Sequence, residues 1–95
     1  MKYTNIFFAK HPGNDKQYIF ELPFLDNKVA KGDKLRVACR DEYKTVIATS
    51  ENLIVTEDVA EATASAMGGY WPLAQAVGKI EHVSTEEFSP FVCPF

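Results

Sequence analysis

From Lys34 to Arg40 the chain alternates charged and apolar side chains. Leu35, Val37 and Cys39 fall on one parity; Lys34, Arg36 and Arg40 fall on the other. A period of two is the signature of a β-strand with a core on one side and water or a partner on the other. The preceding Val29-Ala30-Lys31-Gly32-Asp33 supplies a tight Lys-Gly-Asp turn, because glycine takes the positive φ that such turns require. Cys39, on the apolar parity, is predicted as a buried thiol. This one segment points to a mainly β fold more firmly than it points to any activity.

The rest of the chain extends the pattern. Tyr3–Ala9 and Gln17–Leu22 read as a hairpin around the Pro12-Gly13-Asn14-Asp15 turn cluster, with Tyr18, Phe20 and Leu22 sharing a face. Pro23 ends the second strand, since it has no N–H for a ladder. Phe24–Lys28 reads as a loop. After Lys34–Arg40 and a short polar connection, Lys44–Thr49 reads as a fourth strand. Asn52–Val55 continues it beyond a kink at Ser50-Glu51. Thr56 to Gly69 is the clearest helix: Thr56 caps it, Glu57, Asp58 and Glu61 suit the positive end of its dipole, and Gly68 or Gly69 stops it. Val59, Ala62, Thr63 and Ala66 form its expected docking face. Val77–Val83 alternates again and is the expected last strand. The expectation is a single domain over residues 1–95, a five-stranded SH3-like or OB-like barrel with one short α-helix before the last strand. An apolar tail, residues 88–95, follows; its Pro90 and Pro94 argue against regular structure there.

Composition narrows the functional classes. No apolar run approaches the ~18 residues of a membrane span, and the N-terminal apolar run is too short for a signal-peptide core. The expected location is the cytoplasm, where Cys39 and Cys93 stay reduced. Residues 1–44 carry nine Lys/Arg against six Asp/Glu, whereas residues 45–95 carry one lysine against seven acids, together giving the net charge of −3. Such asymmetry marks either a polyanion-binding face or mutual attraction within one fold.

Chemistry-bearing motifs are sparse. The two histidines, His11 and His82, stand in no Ser/His/Asp, Cys/His or metal-ligand spacing, and no phosphate-binding glycine loop occurs. No catalytic residue, metal or cofactor is therefore predicted. Two candidate surfaces remain. Lys34, Arg36, Arg40 and Lys44 form a basic group of the kind that small barrels use to bind single-stranded nucleic acid, with Tyr43 as the one nearby aromatic. Tyr70, Trp71, Phe88, Phe91 and Phe95 form an aromatic set suited to a protein interface. Either this tail packs onto the barrel or it inserts into a partner or a second copy.

The sequence Tyr18-Ile19-Phe20-Glu21-Leu22-Pro23, the segment Val29 to Val37 and the closing Val77-Gly78-Lys79-Ile80 resemble small uncharacterised β-barrel proteins of phages and mobile elements from Gram-positive bacteria. The resemblance implies a small barrel of phage or prophage origin and carries no active site. The functional expectation is a non-enzymatic module acting through protein–protein contacts, with self-association open. Single-stranded nucleic-acid binding and inhibition of a host defence are the alternatives.

Overall fold

The computed structural model describes residues 2–39, 42–69, 71–81 and 87–91. Seven strands and one helix follow in order: β1 Tyr3–Lys10, β2 Gln17–Leu22, β3 Lys34–Cys39, β4 Glu42–Ala48, β5 Leu53–Thr56, α1 Glu57–Ala66, β6 Gln75–Glu81 and β7 Glu87–Pro90. Five of the strands close a barrel in the circular order β2-β1-β4-β3-β6. Every neighbouring pair is antiparallel except the closing one, a single parallel bridge between Glu21 of β2 and Gln75 of β6. The molecule is thus a small, mainly β, closed barrel with one helix before the last barrel strand, as the alternation predicts.

The turns form for the reasons their residues suggest. In the β1–β2 hairpin Gly13 has φ 80°. The Asn14 N–H closes that turn on the His11 carbonyl (3.0 Å). Before β3, Gly32 has φ 95°. There Asp33 locks the turn twice, its N–H on the Ala30 carbonyl and its carboxylate accepting from the Ala30 N–H (2.9 Å).

Strand parity sorts the core. Phe7, Ala9, Phe20, Leu22, Leu35, Val37, Val46, Ala48 and Ala76 point inward and fill the barrel. On the opposite faces of β1 and β2, Ile6 and Ile19 turn outward and are covered by α1 through Ala60 and Ala64. The docking face thus differs from the expected one: Ala60 and Ala64 are buried, whereas Val59 is 50% exposed. The helix follows β5 without a loop, and the Glu57 N–H bonds the Lys2 carbonyl beside β1. Its approach is set by the strand, and only alanine side chains let it lie that close. The helix therefore covers the barrel's outer wall rather than plugging its interior. Thr56 does cap it, accepting from the Val59 N–H.

The kinked fourth strand is found as two. β4 pairs with β1 at Ala9 and Lys10. After Thr49–Asn52, β5 pairs with β1 again, from Tyr3 to Ile6. Two corrections concern the ends. β6 begins at Gln75 rather than Val77, because Ala76 completes the inward face opposite Val37. The segment from Glu87 to Pro90 is a strand and not irregular: it pairs with β6, Ile80 opposite Phe88. Pro90 is tolerated because it ends the strand at its final pair. The polar connection at Glu42 and Tyr43 belongs to β4 for the same kind of reason, since these residues extend the ladder opposite Cys39 and Ala38.

Closure depends on Glu21. Its carboxylate accepts from the Thr4 hydroxyl (2.6 Å) and from the Gln75 amide (2.6 Å), while its N–H bonds the Ala74 carbonyl. One side chain thereby ties β1, β2 and β6 at the weakest seam. Glu21→Ala should lower stability by about 2 kcal/mol, the loss of two charge-assisted hydrogen bonds at a half-buried site. A urea titration showing a change below about 0.5 kcal/mol would mean that the seam does not depend on this carboxylate.

Candidate functional site

Three surfaces carry the side chains that a partner or ligand would meet. The first is the barrel mouth. Here β1 and β3 end, β2, β4 and β6 begin, and α1 terminates, leaving a groove of about 940 Å³. It is lined by Phe20 and Ala74 together with Gln17, Tyr18, Glu42 and Lys44. His11 meets the Tyr18 ring edge-on at 5.2 Å. The Lys16 ammonium lies 5.2 Å from the centre of the same ring. Cys39 also lines this mouth. It is half-buried rather than fully buried, because β3 reaches the open end there and the core stops one pair earlier, at Val37.

The second surface is the outer wall of β3 and β4. Lys34 and Arg36 project there, as their parity predicts. Tyr43 joins them: it stands opposite Ala38, and Thr45 stands opposite Arg36. The Tyr43 side chain is 66% exposed. Lys44 does not belong to this face. It pairs with Val37, an inward residue, so its side chain takes the inward parity and emerges at the mouth. There it pairs with Glu42 at 3.4 Å. The two-residue period that unites Lys34 and Arg36 within one strand does not carry across the β3–β4 turn, and this separates Lys44 from them. Arg40 lies outside the described residues.

The third surface is apolar. Tyr3 of β1 and Ile54 of β5 share one face of the β1–β5 pair, which places Ile54 opposite Asn5. Beside them runs the loop from Pro23 to Val29. Its conformation is fixed from beneath: the Asn5 amide donates to the carbonyls of Phe24 (3.3 Å) and Asn27 (2.7 Å). Asn52 completes the network, donating to Asn5 Oδ1 and accepting from the Val29 N–H. Phe24 itself has φ 61°, in the left-handed region that few large residues adopt. The result is a patch in which Tyr3, Phe24, Leu25 and Ile54 are all between 44% and 58% exposed; Leu53, opposite Ile6, is exposed on the other face of β5.

Of the aromatic set expected at an interface, Trp71 is 40% exposed. Phe91 is half-buried against the barrel core. Phe88 is placed only through its backbone, in β7. Tyr70 and Phe95 lie outside the described residues, as do His82 and Cys93. Sequence reading therefore missed the patch around β5. A signal for it was present: Leu53-Ile54-Val55 is apolar on both parities, and Phe24-Leu25 places two large apolar residues in a loop.

Among the described residues no group of His, Cys, Asp and Glu could hold a metal ion. No helix among them is long and apolar enough to cross a membrane. The fold and surfaces define a small closed β-barrel with an apolar edge and a basic wall. No family model, curated protein or solved structure matches the chain.

Proposed function

We propose that this chain is a small non-enzymatic binding module of the cytoplasm, acting through protein–protein contacts. The observation that supports this reading best is the apolar patch of Tyr3, Phe24, Leu25 and Ile54, whose loop is fixed from beneath by the asparagine network. Solvent-facing apolar side chains grouped in this way are characteristic of interaction surfaces. Trp71 offers a further anchor of the residue type that dominates interface energetics.

A second reading has one specific observation in its favour. Tyr43 stands on the same outer wall as Lys34 and Arg36, which is the combination of cation and stacking surface used for single-stranded nucleic acid.

One experiment separates the two. The full chain is panned against displayed peptides and, in parallel, titrated with a single-stranded oligonucleotide at two salt concentrations. The protein-contact reading expects convergent apolar peptides and no oligonucleotide binding. Absence of any convergent peptide overturns it. Oligonucleotide binding that weakens with a log–log salt slope of about −0.7 per contact, and is lost in Lys34→Glu/Arg36→Glu, establishes the second reading instead.

A further inference from the structure

The unpaired edge of β5 is the most specific feature of the apolar patch, and its hydrogen-bonding groups can be assigned one by one. The Glu57 N–H faces β1, donating to the Lys2 carbonyl (3.0 Å), whereas the Asn52 N–H faces away from β1, donating to the Val29 carbonyl (3.2 Å). Backbone groups alternate sides along an antiparallel strand. Leu53, Val55 and Glu57 therefore bond toward β1. Ile54 turns its N–H and C=O outward, and Thr56 turns its N–H outward. Among the described residues β5 pairs with β1 alone.

That outward edge is occupied further back by the chain itself. The segment before β3 pairs along Ala48 and Asn52, through Gly32, Asp33 and Val29, and stops there. Among the described residues nothing pairs with the next rung, at Ile54. β5 is Leu-Ile-Val-Thr, with no proline and no charge, so only its shortness and the residues flanking it guard this edge. Its charges sit just outside it and are all acidic, namely Glu51 on one side and Glu57 and Asp58 on the other, each exposed. A second copy of β5 laid antiparallel would bring these acids against one another. The segment already seated on the preceding rungs has the opposite character, with Lys28 and Lys31 on either side of Val29.

From this geometry we infer that the β5 edge captures an extended peptide with a β-branched centre and Lys or Arg at both ends, adding it as a further strand. Main-chain bonds to Ile54 and Thr56 supply the docking, Leu53 and Ile54 supply apolar contact, and the flanking acids select the basic ends. The inference rests on the protein-contact reading and names the partner's chemistry.

The probe is a synthetic peptide of about five residues, Val-Thr-Val between single lysines, short enough to end beside the Val29 segment at Asn52. Binding to the full chain is followed by calorimetry and by amide hydrogen exchange. The expected result is binding that slows exchange at Ile54 and Thr56 and leaves Val55, already bonded to β1, unchanged. Ile54→Pro should abolish binding without disturbing the β1–β5 ladder, because the N–H it removes faces away from β1. Glu51→Lys, which leaves every backbone bond in place, should weaken binding about tenfold, as should replacing the peptide's lysines by glutamates. Failure of the lysine-flanked peptide to bind, or equal binding by the glutamate-flanked form, overturns the inference. So does binding without protection of Ile54, or concentration-dependent dimerisation that protects Ile54 without peptide. Convergent peptides from panning that compete elsewhere on the surface would overturn this inference while sustaining the protein-contact reading.

Discussion

Phe7→Ala should remove about 3–5 kcal/mol of stability, the range for deleting an aromatic ring from a packed core. Phe7 is fully buried. It packs beside Phe20, with ring centroids 5.7 Å apart. Phe7 stands opposite Phe20 in the β1–β2 ladder, so the ring sits at the centre of the inner sheet face. The core cluster it belongs to is made largely of short side chains, namely Val29, Val37, Val46, Ala9, Ala48 and Ala76, which reach poorly into the space of an aromatic ring. A barrel wall, closed on itself, relaxes inward less easily than two layers sliding together. For a domain of this size, whose total stability is on the order of 5–10 kcal/mol, the variant should be close to unfolding at room temperature. Chemical denaturation followed by Trp71 fluorescence measures this directly. A loss below about 2 kcal/mol would mean that the core repacks around the gap, contrary to the rigid closed wall described here.

Asn5→Ala should cost about 3 kcal/mol, although it deletes only an amide group. Asn5 is 1% exposed. Its removal takes the donor from the Asn27 carbonyl and the acceptor from the Asn52 amide, and deletes the bond to the Phe24 carbonyl. Each buried polar group left unpaired costs about 1–3 kcal/mol, which makes the penalty larger than that of the lost bonds themselves. Asn5→Asp tests the same point with nearly unchanged shape. A carboxylate accepts from Asn52 but has no N–H for the two carbonyls, so it should be no better tolerated than alanine at neutral pH. The loss should also be local. Amide exchange should accelerate at Val29 and Asn52, whose mutual bonds the network supports, before the barrel opens. Unchanged exchange at Val29 in Asn5→Ala would show that the loop is held by other contacts.

The asparagine network also explains why the exposed apolar surface was not legible in the residues. Asn5, Asn27 and Asn52 each read as an ordinary polar residue in a strand or loop, and nothing in their spacing indicates that they meet. They meet because β1, β5 and the loop after Pro23 converge at one end of the barrel. The same holds for Glu21, Thr4 and Gln75: three unremarkable residues, far apart in the chain, become the clasp of the parallel seam. The basic group shows the complementary limit. Lys34 and Arg36 were placed correctly by alternation, since parity is a property of one strand. Lys44 was not, because its face depends on how β4 registers against β3, and one residue of register exchanges inside for outside.

The chain's own pattern was enough to set the β class, the two glycine turns, the Thr56 cap and the inward parity of Leu35 and Val37. Each of these follows from a local rule: period, positive φ or an unsatisfied helix terminus. Three-dimensional packing alone decided that Ala60 and Ala64 form the buried face of the helix, that Glu87–Pro90 is a strand, and that β5, among the described residues, pairs with β1 alone. These are outcomes of competition between distant segments for the same edge or face. On the outer edge of β1, β4 gives way to β5, and on that of β6, β2 gives way to β7. Which segment wins depends on pairing energies summed across the closed sheet, a quantity that no window of neighbouring residues contains.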